Sequence, residues 1–276
     1  MSNLDWKIVC LELDEESKEV GKFLEGIWPS KVSSVVIKDS EDIIKREHLR
    51  DLLSDFSAKQ GRIFTVYGSG VYHHFTHGLL EVVADARSQN YAYVHVDQHT
   101  DNYDIHEIGG SGEVLNCANF VSRIPVNTRA IAVKYVGCKK QFVRVRQSDI
   151  VETYDLKDKG VGFALERLLR GTPFDIYASI DLDVLKRTHI KTGWTRGNMD
   201  VGLLLDVVKY LKSNKNILSA DALGLCCDII ERYAELIPLT KQLWDASLLV
   251  YAMLAGTILG EDINCLKEEH DNLTKQ

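Results

Sequence analysis

Short runs of apolar and β-branched residues alternate along the chain with segments whose apolar residues recur every three or four positions. The apolar runs predict strands at residues 6–13, 34–37, 62–67, 91–96, 130–136 and 175–180. The intervening segments predict helices at residues 40–56, 76–88, 160–170, 201–213 and 243–259. Buried strands that alternate with helices are typical of a parallel sheet covered on both faces. We therefore predict an α/β fold of three α/β/α layers with a mainly parallel sheet, which binds ligands beyond the carboxyl ends of its strands.

Composition and charge argue against several classes of protein. The chain has four prolines and no Gly/Ser-rich linker, so we predict a single domain over residues 1–276, with a polar tail at 260–276 that frays and leaves His270 in solvent. The formal net charge of −7 disfavours a nucleic-acid partner. The chain has no basic start followed by an apolar run and no long uninterrupted apolar stretch, so we expect a cytoplasmic protein without a membrane partner. Six scattered cysteines favour free thiols over disulfides or structural zinc.

Acidic residues and histidines follow two of the predicted strands directly. Strand 91–96 runs into Asp97-Gln-His99-Thr-Asp101, and strand 175–180 runs into Asp181-Leu-Asp183. Carboxyl ends of parallel strands meet at one edge of a sheet, so these side chains should converge there. Closely packed carboxylates repel one another unless cations or water compensate them. Oxygen and imidazole donors without thiolate suit manganese, or iron and zinc less selectively, with nickel and cobalt also open. A lone Asp-x-Asp is commonly a helix cap, but the two patterns together favour a metal site.

These segments resemble the arginase/agmatinase (ureohydrolase) superfamily. In that family, Gly-Gly-Asp-His, Asp-Ala-His-x-Asp and Ser-x-Asp-x-Asp segments bind two manganese ions. The corresponding segments here begin at Gly68, Asp97 and Ser179. The resemblance implies an arginase/deacetylase-like fold, two Mn²⁺ ions as cofactors and six metal ligands: His74, Asp97, His99, Asp101, Asp181 and Asp183. Asp97 and Asp181 would bridge the two ions. A gap-free match selects His74 as the first ligand, with the adjacent His73 as the alternate and the role of His77 left open.

The resemblance also implies a reaction. A hydroxide that bridges the ions would attack a guanidino carbon, with Asp101 orienting it, and urea would be released. The proton-shuttle histidine that the family places after its Ser-Gly pair is absent here. We therefore take His106 and His189 as candidate catalytic proton donors, with metal-bound water as the alternative. For substrate binding, the sequence offers Ser111, Asn116 and Asp221, with Asp228 as a second acid.

The segments that recognise a free amino acid in the family differ in this chain. The loop around residues 136–140 is short, and the distal glutamate after Asp221 is missing. We therefore predict an enzyme that converts arginine, as a side chain within a peptide, to ornithine and urea. Three acids near the expected rim would suit a cationic substrate: Asp104, Glu107 and Glu113. The alternatives are a deacetylase-like amide hydrolase with one metal, and a non-catalytic metal-binding relative. A homo-oligomer also remains open.

Overall fold

The computed structural model describes residues 6–38, 40–54, 56, 61–87, 90–103, 114–139, 145–190, 192, 197–225 and 238–275. Its strands in chain order are β1 (Trp6–Glu12), β2 (Val32–Val36), β3 (Ile43–Lys45), β4 (Arg62–Val66), β5 (Tyr91–Val96), β6 (Val114–Asn116), β7 (Ala130–Gly137), β8 (Ile150–Glu152), β9 (Asp175–Asp181) and β10 (Asn216–Leu223). Eight of them form one sheet in the order β2-β1-β4-β10-β9-β5-β7-β8, and every neighbouring pair is parallel. The remaining two, β3 and β6, form a small antiparallel pair.

Helices cover both faces of the large sheet. In chain order they are α1 (Glu15–Ile27), α2 (Arg46–Leu52), α3 (Phe75–Leu79), α4 (Ile124–Asn127), α5 (Thr153–Lys159), α6 (Val161–Leu168), α7 (Val201–Asn214), α8 (Pro238–Leu259) and α9 (Asn264–Thr274). Buried side chains of α1, α6, α7 and α8 pack on one face. Those of α2, α3 and α4 pack on the other. Because successive residues of a strand point to opposite faces, each strand contributes to both cores. The predicted three-layer α/β/α fold with a parallel sheet is confirmed.

One predicted segment forms a different structure, and several elements lie where no element was predicted. The segment 40–56 begins with strand β3 and becomes helix α2 only at Arg46. In β3, Ile44 is buried between exposed neighbours, which is the period of a strand rather than of a helix. No element was predicted for helices α1, α4 and α5 or for strands β6 and β8. Strand β8, at three residues, is too short to show a period.

The polar tail does not fray as expected. It forms helix α9, whose His270 is buried and stacks on His189 with 5.5 Å between ring centroids. Ile263 and Leu266 pack against the core beside α8. A helix needs only one apolar stripe to dock, so a largely polar composition did not reveal this contact.

Helix α8 is the one described helix whose length and composition would allow it to cross a membrane, over Lys241–Leu259. Most of this stretch is buried inside the protein. Its apolar residues, among them Val250, Met253 and Leu254, belong to the core. A largely buried apolar helix of this kind is typical of a protein core, and it carries no conclusion about membranes here.

Candidate metal centre

Four carboxylates meet where β5 and β9 end. These two strands are hydrogen-bonded neighbours and run in parallel, so Asp97 and Asp181 emerge side by side. A 3-10 turn over Leu182–Val184 follows β9, and the Asp181 side chain accepts a hydrogen bond from the backbone N–H of Asp183 at 2.8 Å. This turn directs Asp183 back toward the end of β5, where its carboxylate accepts from the Gln98 N–H at 3.3 Å.

Asp97 presents its two carboxylate oxygens to different histidines. Its Oδ2 lies 3.3 Å from His73 Nδ1, and its Oδ1 lies 3.6 Å from His99 Nδ1. His99 Nδ1 also lies 2.7 Å from Asp183 Oδ2. A carboxylate shared in this way can bridge two cations, because each oxygen faces its own group of donor atoms.

Asp101 completes the group around His73. Its Oδ2 lies 2.9 Å from His73 Nδ1, and Asp181 Oδ2 lies 3.6 Å from the same nitrogen. Asp101 has a φ of 45°, in the left-handed region that few residues other than glycine adopt. The tight bend after β5 therefore places the Asp101 carboxylate beside that of Asp97, and strained backbone of this kind is common at functional sites.

Glycine at position 224 leaves room for one of these carboxylates. Gly224 has a φ of +114°, and a Cβ atom on it would overlap with Asp181 Oδ1. A side chain at this position would therefore displace the Asp181 carboxylate.

The shifted pKa values of the four-carboxylate group show that its negative charges repel one another and that nearby positive charge would stabilise them. Burial and then the charges of neighbouring aspartates raise the pKa of Asp183, and the same causes raise the pKa of Asp181 to about 7. Burial alone would lower the pKa of His99, but Asp183 and Asp97 outweigh it and raise that pKa to about 11. The metal-free site therefore retains protons in place of cations.

The donor atoms fit divalent cations. Two groups lie close enough to hold an ion: His73 with His95 and Asp97, and Asp97 with His99 and Asp183. His73 Nδ1 is buried without a hydrogen bond of good geometry, although three carboxylates surround it. Imidazole nitrogens and carboxylate oxygens suit Mn²⁺ and related ions.

The structure does not bring His74 to this group. His74 is buried, and its Nε2 lies 3.1 Å from the Glu41 carbonyl oxygen instead of facing the carboxylates. The neighbouring His73 takes the place that we expected for His74. A short 3-10 turn at Gly70–Tyr72 precedes helix α3 and sets which of the two side chains faces the sheet edge. A gap-free sequence match could not include this turn.

Two further expected site residues lie elsewhere. His189 stacks on His270 and lies 3.5 Å from Asp200 Oδ1, away from the carboxylates, so its position does not support a proton-donor role. Asn116 closes a turn, because its Oδ1 accepts from the Ala118 N–H at 2.9 Å and its own N–H donates to Asn119 Oδ1. This turn supports the cavity wall rather than presenting the Asn116 amide as a binding group.

The remaining expected residues on the substrate side cannot be placed. Both His106 and Ser111 lie outside the described residues. The same holds for Asp228 and for the three expected rim acids, Asp104, Glu107 and Glu113.

Asp221 is buried behind the centre instead of facing a substrate. Its carboxylate accepts hydrogen bonds from Ser179 Oγ at 2.6 Å, Tyr177 OH at 2.7 Å and Thr76 Oγ1 at 3.0 Å. Ser179 Oγ also lies 3.0 Å from His73 Nε2. Because Ser179 gives its proton to Asp221, its oxygen can accept the proton on His73 Nε2, which leaves Nδ1 free to bind a cation.

Sequence reasoning missed His95. It is buried on β5, with Nε2 3.2 Å from Asp97 Oδ2. The signal was the strand period, because His95 lies two residues before Asp97 and therefore on the same face.

A cavity of about 170 Å³ opens onto the four carboxylates. Its described wall also includes His99, Gly70, Tyr103, Cys117 and Ala118. No lysine or arginine is among the described residues that line it. The cavity is therefore complementary to a cationic group.

Metal-free protein should lose stability as the pH rises from about 4 to about 11. The raised pKa values of Asp181 and His99 mean that the folded state binds more protons than the unfolded chain. The free energy of unfolding then falls with pH, for Asp181 between about 4 and 7 and for His99 above about 6.5. Denaturant titrations of chelator-treated protein would measure this slope. The Asp181→Asn variant should flatten it below about pH 7, and a wild type that gains stability with pH would contradict the assignment.

Comparisons with known proteins agree with this geometry. The family model described as the arginase family matches residues 36–224. A search of curated proteins finds no significant match. Among solved structures, a hypothetical agmatinase from Burkholderia thailandensis is similar with a TM-score of 0.66 and 16% identity, over 98% of this chain and 86% of that one. Arginase from Bacillus cereus has a TM-score of 0.64 and 15% identity, over 93% of this chain and 99% of that one.

A third similar solved structure carries a different enzyme name. Formimidoylglutamase from Bacillus subtilis has a TM-score of 0.61 and 13% identity, over 92% of this chain and 86% of that one. At such identities these structures show the fold alone, whereas the family model covers more than half of the chain. The resemblance seen in the sequence is confirmed, and the chain belongs to the arginase family.

Proposed function

We propose that this protein is a binuclear, manganese-dependent hydrolase of guanidino C–N bonds, and that its substrate is an arginine side chain within a peptide. The observation that carries the proposal is the position of Asp97 between two sets of donors, one around His73 and one around His99. A single-metal amide hydrolase would need only one such set, whereas His99 with Asp183 forms a second beside that of His73.

The distances support His73, Asp97, Asp101 and Asp181 as the residues that would hold one ion, and Asp97, His99 and Asp183 as those that would hold the other. The family resemblance adds Asp181 to the second set. Divalent ions at such a site lower the pKa of bound water toward neutrality and so supply a nucleophile.

The chain's own residues would bind and orient the substrate. No described lysine or arginine on the cavity wall repels a guanidinium group, and Asp101 lies on that wall with an oxygen that can accept a proton from the attacking water. Asp101 can then return that proton to the leaving nitrogen. Water adds to the guanidino carbon, the bond to the side-chain nitrogen breaks, and the products are ornithine within the peptide and urea.

One feature of the cavity favours a peptide over free arginine. Its described lining has no lysine or arginine to pair with a free α-carboxylate. A side chain that enters from a peptide needs no such partner.

Urea release should distinguish the substrates. We expect manganese-loaded protein to release urea from an arginine-containing peptide, and to release less from free arginine or agmatine. A peptide with lysine in place of arginine is the matched control, and mass spectrometry should locate ornithine at the former arginine. If protein with two bound ions releases urea from none of the three compounds, the proposed activity is wrong and a non-catalytic metal protein remains.

A further inference from the structure

A buried pair of side chains on β5, Tyr93 and His95, is not used by the proposed reaction. Strand alternation places Tyr93, His95 and Asp97 on the same face, and all three are buried. His95 pairs in the sheet with Tyr135 on β7 and with Ser179 on β9. His95 is therefore buried within the sheet, close to the strand ends that carry the carboxylates, and has no contact with solvent.

The contacts of His95 set its tautomer. Tyr93 OH lies 3.0 Å from His95 Nδ1, and His95 Nε2 lies 3.2 Å from Asp97 Oδ2. Burial raises the pKa of Tyr93 well above its usual value, so the phenol keeps its proton and can donate it to Nδ1. An imidazole that accepts at Nδ1 carries its own proton at Nε2. The carboxylate oxygen nearest to that nitrogen is Asp97 Oδ2, and the contact, like those of His73 Nδ1, lacks the geometry of a good hydrogen bond.

Ring geometry separates the role of His95 from that of His73. The two rings stack with centroids 5.1 Å apart and planes only 20° from parallel. A histidine binds a metal along a lone pair in its ring plane, so two stacked and nearly parallel rings cannot both aim at one ion. His73 Nδ1 lies within 3.6 Å of three carboxylates, whereas His95 Nε2 has one such neighbour, Asp97, with Asp101 Oδ2 at 3.9 Å.

His95 contacts only one of the two carboxylate oxygens of Asp97. Oδ2 faces His73 and His95, while Oδ1 faces His99 and accepts from the His99 backbone N–H at 2.5 Å. A residue that orients Oδ2 therefore acts first on the ion beside His73.

We propose that His95, with its tautomer fixed by Tyr93, is a positioning residue that holds Asp97 Oδ2 for the ion on the His73 side. The inference rests on the binuclear site proposed above. Partners that orient metal ligands in this way typically contribute about 10–100-fold to metal affinity.

The test measures manganese binding to the full chain, without a substrate. Wild type should bind two ions, with the electron paramagnetic resonance signal of a coupled pair. In His95→Phe, which keeps a ring of similar size, the affinity for one ion should fall about 10–100-fold while the other stays near wild type, and an isolated-ion signal should appear. In His95→Gln, an amide N–H near the Nε2 position should restore much of the loss.

Tyr93→Phe removes a single oxygen and covers the case in which His95→Phe does not fold. It should weaken the same ion by about tenfold, because His95 can then adopt the other tautomer. Tyr135→Phe is the matched control, since the Tyr135 ring also packs on His95, with centroids 5.7 Å apart. It should leave both affinities unchanged.

Several results would overturn the inference. These are unchanged affinities in both His95→Phe and Tyr93→Phe, an equal loss of both ions, or an equal effect of Tyr135→Phe. Loss of one imidazole from the X-ray absorption spectrum of His95→Gln would make His95 a direct ligand instead. A wild type that never binds two ions would overturn the binuclear site itself, whereas absence of urea release with two ions bound would leave this inference standing.

Discussion

Asp97→Asn should remove both metal ions together and reduce hydrolysis by at least about 1,000-fold, the scale of losing a principal catalytic group. Asp97 is the carboxylate whose two oxygens face the two donor sets. An amide of the same shape has one oxygen and no charge, so it cannot join two cations. Titration with manganese, followed by metal analysis after gel filtration, would measure the loss.

The stability of Asp97→Asn should be lower than that of wild type both with and without metal. Burial raises the pKa of Asp97, but His95, His73 and His99 outweigh burial and hold that pKa well below its usual value, so the metal-free fold favours the Asp97 charge and should lose stability without it. Ligand binding stabilises by about 2.7 kcal/mol at 100 times Kd, and the variant should lose this gain when manganese is added. Asp206→Asn on the exposed face of α7 is the control and should behave as wild type. Full occupancy of both sites in Asp97→Asn would contradict a bridging role.

His73→Ala and His74→Ala should have different effects although the residues are adjacent. His73 Nδ1 faces three carboxylates, so His73→Ala should lose the ion on that side and at least about 100-fold of activity, while the His99 side keeps its ion. His74 faces the Glu41 carbonyl, so His74→Ala should keep both ions and instead lose about 1–3 kcal/mol of stability.

The two measurements for this pair are metal stoichiometry and denaturant unfolding of metal-free protein. Each variant serves as the matched control for the other, since both remove one buried imidazole from the same turn. If His74→Ala loses an ion and His73→Ala keeps two, our reassignment of the first histidine is wrong and the original sequence match is right.

Much of the fold could be predicted because its signals are local. The six predicted strands all occur, since buried parallel strands leave continuous apolar runs in a sequence. Helix α9 was missed because its docking depends on a few side chains, among them Ile263 and Leu266, that find partners on distant elements. Strand β3 was absorbed into a predicted helix because three residues are too few to separate a period of two from one of 3.6.

The candidate site likewise has a part that the sequence determined and a part that only the tertiary structure decided. The sequence by itself determined that Asp97, Asp101, Asp181 and Asp183 converge, because each follows a strand whose end reaches the same sheet edge. Only the tertiary structure decided that His73 rather than His74 joins them, since a single short turn rotates the chain by one residue. Tertiary structure also placed Asp221 behind His73 through Ser179, because hydrogen bonds between strands far apart in sequence depend on the order of strands in the sheet.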